Sequence, residues 1–156
     1  MKDGDMIQIA YLVKDIEAAT RFYWETMNVG PWEFWTFAPP ELRESMVRGN
    51  PSDHSFRIAL ATSGSVQIEL IQPLTGRSVY DEFLEKKGEG LHHVKFYYKD
   101  CQKALENFKN KGIEVLQSGK FDEDEFYYMD TGKYFGMYLE IGNSGKLRPP
   151  EKVFPA

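Results

Sequence analysis

Two stretches of this sequence carry a polar, potentially metal-ligating side chain at the same point of one shared pattern. Gln8-Ile-Ala-Tyr-Leu-Val-Lys-Asp15 overlays His93-Val-Lys-Phe-Tyr-Tyr-Lys-Asp100 at an offset of 85 (93 minus 8), and both end in Lys-Asp. A second pair of segments, Gln67-Ile-Glu-Leu-Ile71 and Tyr138-Leu-Glu-Ile141, matches through Glu69 and Glu140. A duplication of this kind governs the fold, because each unit buries its apolar face against its copy. The repeat selects Gln8, Glu69, His93 and Glu140, each a polar residue in an otherwise apolar segment that needs a partner or a ligand. Two carboxylates, one amide oxygen and one imidazole make a mostly oxygen-ligated divalent site with room for water or substrate. That donor set suits Mn, Co, Ni, Fe or Zn better than a thiolate-selected metal. Taken singly the residues say less: His93 alone reads as a buried histidine bonded to backbone, the glutamates as edge-strand carboxylates, and Gln8 carries no signal.

The elements that must hold these residues follow from periodicity. Met6 to Val13 is almost continuously apolar and reads as a buried strand. Asp15 then caps a helix carrying Ile16, Ala19, Phe22, Tyr23 and Met27, closed by Gly30-Pro31. Trp32 to Phe37 reads as a strand, and Pro39 to Asp53, with three prolines and many charges, as a loop. Phe56 to Ala61 and Val66 to Ile71 read as a hairpin across Thr62-Ser63-Gly64-Ser65. A short helix, Val79 to Lys86, leads to Gly88-Glu89-Gly90. The pattern then restarts: a strand from Leu91 to Tyr98, a helix capped by Asp100 and closed by Gly112, and strands beginning at Ile113, Glu125 and Gly136.

The fold class expected is therefore α+β: two tandem βαβββ modules forming a curved mixed sheet around a metal cleft. Residues 1–150 make a single two-module domain, with module one at about 6–75, a connecting helix at about 78–88 and module two at about 90–142. Residues 143–156 form a tail that wraps the surface or frays. Because a strand's pleat puts residues two apart on one face, a pseudo-twofold between modules would aim all four polar residues into one cleft.

Composition narrows the function classes. With 156 residues, 42% apolar and 15% aromatic, the chain can bury a core. The net charge of −5 comes with no Lys/Arg run, which excludes a nucleic-acid partner. Cys101 is the single cysteine, so an intramolecular disulfide and a multi-cysteine zinc site are excluded, and a reducing, cytoplasmic setting is expected. The polar start Met1-Lys2-Asp3-Gly4-Asp5 lacks the apolar region of a signal peptide. No apolar run approaches the roughly 18 residues of a membrane span.

Beyond the four polar residues, Trp32, Phe34, Trp35 and Phe37 form the densest aromatic group. They are either sheet packing or the wall of a pocket for an apolar or ring-bearing substrate. Strand alternation forbids Trp32 and Phe34 from sharing a wall with Trp35 and Phe37. Trp32, Phe34, Trp35 and Tyr128 are taken as substrate-binding candidates. His92 should face away from His93. His54 reads as a surface residue, and Asp122-Glu123-Asp124-Glu125 as a solvated turn. Arg43 and Arg48 could grip an anionic substrate, though a solvated loop explains them as well.

This pattern resembles the vicinal oxygen chelate superfamily, whose members pair two βαβββ modules around a metal, and the resemblance covers Met6 to Ile141. The closest local likeness is to the methylmalonyl-CoA epimerases, through Ile68-Glu69-Leu70-Ile71-Gln72-Pro73-Leu74 and Phe83-Leu84-Glu85-Lys86-Lys87-Gly88-Glu89-Gly90-Leu91-His92-His93. Epimerases usually carry His at the first ligand position, where this chain has Gln8. Gln, Glu, His, Glu is instead the ligand set of one class of glyoxalase I (lactoylglutathione lyase). The glutathione-gripping arginine of that family is replaced by Leu12.

The resemblance implies a divalent metal ion (Ni, Co, Mn, Zn or Fe) held by Gln8, Glu69, His93 and Glu140, in a lyase or isomerase acting on a small carbonyl or acyl-thioester substrate. It implies that the metal stabilises an enolate while a carboxylate removes and returns a proton. Glu140 takes the role of base, and Glu69 could act from the opposite side. A homodimer is the expected assembly. The alternatives are a ring-cleaving dioxygenase, against which Gln8 counts, and a non-catalytic small-molecule binding protein of the same fold.

Overall fold

The computed structural model describes all residues, 1–156. Module one begins with β1 (Met6–Leu12), α1 (Ile16–Met27) and β2 (Trp32–Phe37). A hairpin, β3 (Leu42–Val47) and β4 (Asn50–Pro51), precedes β5 (Phe56–Ser63) and β6 (Val66–Pro73). The connector α2 (Val79–Lys87) leads into β7 (Gly90–Tyr97), α3 (Cys101–Asn110), β8 (Val115–Phe121) and β9 (Asp124–Met129). A four-residue helix α4 (Gly132–Phe135), β10 (Tyr138–Gly142) and β11 (Lys152–Phe154) complete the chain. The helix starts are those the caps dictate: Asp15 accepts from the Ala18 N–H, Asp100 from the Lys103 N–H, and Ser78 and Asp81 form a capping box. No helix is long and apolar enough to cross a membrane.

All eleven strands join one curved mixed sheet in the order β11-β2-β5-β6-β1-β7-β10-β9-β8-β3-β4. Reading outward from the centre, module one runs β1-β6-β5-β2 and module two β7-β10-β9-β8, so the duplication is carried by the strand order. The two halves meet at the antiparallel pair β1–β7, where Gln8 faces Lys95 and Ala10 faces His93. Parallel pairs flank it on each side: Gln8 opposes Gln67 and Ala10 opposes Glu69, while His93 opposes Tyr138 and Lys95 opposes Glu140. Gln8 and His93 are thus equivalent, as are Glu69 and Glu140, in an α+β fold of the expected class.

The concave face buries Trp35, Phe37, Phe56, Ile58, Leu60, Phe126 and Tyr128 with Tyr80 and Phe83 of α2. The convex face is covered by the two helices. Trp32, Phe34 and Leu70 pack under Ile16 of α1, and Tyr127, Met129 and Ile141 under Ala104 of α3.

Three sequence readings are corrected. Residues 39–53 are not a loop throughout, because β3 and β4 extend module two's outer edge, with β3 pairing antiparallel to β8. The partner strand lies some seventy positions on, so nothing local marks the pairing. His54 is fully buried: its Nδ1 lies 2.7 Å from Ser52 Oγ and its ring stacks on Phe56. Asp124, inside the supposed solvated turn, opens β9 and points inward.

Candidate metal centre

Period-two alternation brings Gln8 on β1, Glu69 on β6, His93 on β7 and Glu140 on β10 to the concave face at the seam between modules. His93 Nε2 is the hub, 2.7 Å from Glu140 Oε2, 3.3 Å from Glu69 Oε2 and 3.4 Å from Gln8 Oε1. All four side chains are buried, His93 completely. Gln8 turns its carbonyl oxygen to the hub because its amide nitrogen donates to Gln67 Oε1 at 2.6 Å. Ligand atoms of Glu69, His93 and Glu140 all lie within 4.8 Å of one another, a group that could hold a metal ion.

Burial alone would push His93 down. The Glu140 and Glu69 carboxylates overcome it and raise the imidazole to about 9. Burial works the other way on Glu140, but Lys95 and His93 hold it below the usual carboxylate value. Lys95 was not singled out in the sequence. It is buried with its Nζ 3.4 Å from Glu140 Oε1 and 3.4 Å from Asp124 Oδ1. Burial opposes its charge, yet Asp124 and Glu140 keep the ammonium above its ordinary value. Asp124 is pushed up to about 6 by burial, with Lys95 pulling it back.

The charges test the fit of a divalent ion. Three carboxylates facing one site, Glu69 and Glu140 buried and Asp124 half-buried, against one ammonium (Lys95) leave two negative charges uncompensated. A divalent cation balances them with His93 neutral. Without one, protons on His93 and Asp124 would do the same, which agrees with the direction in which both groups shift. The oxygen-rich donor set and this balance both fit a divalent metal.

The expectation that His92 faces away from His93 is overturned. The register slips between Ala10↔His93 and Tyr11↔Leu91, a bulge that leaves His92 without its own partner on β1. The irregularity brings His92 Nδ1 within 2.9 Å of His93 Nδ1. Burial, reinforced by His93, holds His92 far below its ordinary value, so it stays neutral. For His93 to present a lone pair at Nε2, its Nδ1–H must donate to His92 Nδ1. His92 then carries its proton on Nε2, which has no hydrogen-bond partner and lies in a ring surrounded by Tyr80, Phe83, Tyr128 and Tyr138. His92→Phe, which removes the acceptor, is expected to weaken Co(II) affinity about 10- to 100-fold. Titration of the metal-free variant checks this, and unchanged affinity would refute an orienting role.

A cavity of about 150 Å³ opens above the cluster. Phe37, Phe56, Ile58, Leu60 and Phe126 line it with Gln8, Glu69, Lys95, Asp124, Tyr128 and Glu140, and Ser144, Gly145 and Leu147 cross its rim. Of the aromatic candidates, Tyr128 lines this cavity, with its hydroxyl 2.6 Å from that of Tyr80. Trp32 and Phe34 do not, because alternation places them under α1 on the convex face. Trp35 is on the concave side but packs toward the tail, donating its indole N–H to the Arg148 carbonyl at 2.8 Å. Arg43 donates to the Asp122 carbonyl and Arg48 pairs with Glu82, both away from the cavity.

Comparison with known proteins agrees with this architecture. The Bacillus subtilis protein YqjC is 36% identical over 64 residues, a match covering 41% of this chain and 46% of that protein, so it spans less than half of that relative's length. The ethylmalonyl-CoA/methylmalonyl-CoA epimerase of Cereibacter sphaeroides is 29% identical over 118 residues, covering 75% of this chain and 78% of the relative. A solved methylmalonyl-CoA epimerase in complex with methylmalonyl-CoA and NH4+ superposes with a TM-score of 0.64 at 21% identity, covering 96% of this chain and 100% of that one. The family model described as glyoxalase/bleomycin resistance protein/dioxygenase superfamily matches residues 7–128. With two equivalent modules meeting at a shared, buried donor cluster, this chain belongs to the glyoxalase/bleomycin resistance protein/dioxygenase superfamily.

Proposed function

We propose that this chain is a divalent-metal-dependent enzyme that enolises a small carbonyl or acyl-thioester substrate, as an epimerase-type isomerase or a glyoxalase-type lyase. The observation that carries this reading is the convergence of Gln8, Glu69 and Glu140 oxygens on His93 Nε2, all within 3.4 Å, on the floor of a cavity with an apolar side. Gln8, Glu69, His93 and Glu140 would hold the ion (Ni, Co, Mn, Zn or Fe), which supplies a Lewis acid for the developing enolate oxygen. The protein's own part is proton movement and exclusion of water. Glu69 and Glu140 come from opposite modules and approach from two sides, so one carboxylate can take a proton from a planarising carbon and the other can return it on the opposite face. The apolar wall of Phe37, Phe56, Ile58 and Leu60 keeps competing water away. The likeness to acyl-CoA epimerases supports an acyl-thioester among the candidates. The same reading has the protein working as a cytoplasmic homodimer on a small molecule, with one two-module domain over residues 1–150.

The test combines metal analysis of the purified protein with solvent deuterium exchange into methylmalonyl-CoA and turnover of the methylglyoxal–glutathione adduct. Stoichiometric divalent metal and exchange into either substrate support the reading. Protein that neither holds nor takes up a divalent ion overturns it in favour of a binding protein.

Metal uptake also has a defined pH dependence. His93 is raised to about 9, so at neutral pH its proton must leave before Nε2 can bind an ion. Affinity is expected to rise about tenfold per pH unit up to about pH 9 and to level off above it. Titration with Co(II) at stepped pH checks this, and a flat profile between pH 6 and 9 would contradict it.

A further inference from the structure

The two modules supply an internal control for each residue of the cavity. The strand registers make Ala10 the module-one equivalent of Lys95, because Ala10 opposes Glu69 as Lys95 opposes Glu140. Ile71 is two residues beyond Glu69 on β6, as Gly142 is two beyond Glu140 on β10. On the next strands out, Leu60 opposes Glu69 as Tyr128 opposes Glu140, which makes Phe56 the equivalent of Asp124.

Three exchanges therefore separate the halves of the cavity. Where module one has Ala10, Ile71 and Phe56, module two has Lys95, Gly142 and Asp124. The first two exchanges compensate each other: a Cβ on Gly142 would collide with the Lys95 stem, so the missing side chain is the room in which the lysine lies. The fold itself does not require this lysine, since its other module closes the same position with a methyl group. Its ammonium is nonetheless deeply buried, lines the cavity and is under-bonded. Its two acceptors, Glu140 Oε1 and Asp124 Oδ1, each stand at 3.4 Å, longer than a full charge-assisted hydrogen bond, and a third N–H remains for another acceptor. Asp124 and Glu140 hold the cation in place, and Glu140 ties it to the donor cluster by reaching His93 with its other oxygen at 2.7 Å. A ligand oxygen at Lys95 thus lies about one carboxylate's width from a ligand oxygen at the cluster.

We infer that Lys95 is a specificity-determining residue that receives a carboxylate of the substrate, selecting small acids whose carboxylate sits close to the enolised carbonyl over neutral carbonyl compounds. This rests on the reading proposed above. The polar half of the cavity takes the acid group, and the apolar half, with Phe56 and Ile58, takes the carbon substituent.

The probe is malonate, compared with acetohydroxamate, which chelates through one group and carries no further carboxylate. Calorimetry on the Co(II)-loaded protein is expected to show malonate binding weakened tenfold or more by Lys95→Met, with acetohydroxamate affinity changed less than twofold. Equal losses for both probes, no loss for malonate, or no malonate binding by the wild type would overturn the inference. Lys95→Met/Asp124→Asn removes both charges of the pair and serves if the single variant does not fold, with the same expectation. If the protein takes up no metal, the enolising reading fails separately. The subsite is then read from thermal stabilisation of the metal-free wild type by excess malonate, present in wild type and absent in Lys95→Met if the inference holds, and equal in both if it does not.

Discussion

Glu140→Gln is expected to lower turnover by about 10²- to 10⁴-fold, because the amide keeps an oxygen at the cluster but cannot accept the substrate proton. The same change removes the counter-charge shared by His93 and Lys95, which stand 2.7 and 3.4 Å from the carboxylate. Taking one partner from a buried charge network costs about 3–5 kcal/mol. The sign of the pH effect is fixed by His93. Its folded value is raised to about 9, so its pairing stabilises fully below its ordinary 6.5 and is lost as pH rises through 9. The metal-free variant should therefore be markedly less stable than the parent at pH 6 and approach it above pH 9, apart from the part owed to Lys95. Denaturant unfolding of the metal-free forms at both pH values reads the second effect, and steady-state rates of the loaded forms read the first. A variant that retains metal and full turnover would remove Glu140 from proton transfer.

Trp32→Ala should give the largest loss of stability with no direct injury to the site. The indole is fully buried under α1, packs against Tyr23 and donates to the Val29 carbonyl at 2.8 Å. Deleting a side chain of this size costs about 3–5 kcal/mol. Because the residue lies on the convex face, metal stoichiometry and substrate KM of the folded fraction should stay as in the parent. A selective rise in KM without a drop in unfolding free energy would instead place Trp32 in the substrate wall.

The features legible in the amino-acid sequence share one physical property. The duplication, the capped helices and the four polar residues are local or strictly periodic, and each is visible in a run of fewer than ten residues. Lys95 was hidden because a lysine within a mixed apolar strand looks like a residue facing water; the overlay aligns it with Ala10, but only the register shows that it stands opposite Glu140 as Ala10 stands opposite Glu69. His92 required a bulge, which shifts a side chain without leaving a composition mark. Asp124 was masked by the acidic residues on either side of it, and His54 by the charged segment around it. The pairing of β3 with β8 depends on two segments that carry no trace of each other.

The outer strands also bear on how the chain reaches this state. Each module's free edge is finished by a segment that belongs to the other: β3 and β4, drawn from module one, lie against β8, while β11, beyond module two, lies against β2. A ribosome that has made only the first half has therefore produced a sheet with β2 unprotected and a hairpin with nothing to join. Open edges of this kind are templates for pairing with other chains. Assembly has to wait for contacts between distant segments, which slows folding and prolongs that exposure. Cleaving the chain in the connector should thus yield not two small folded units but two fragments that recover structure only together.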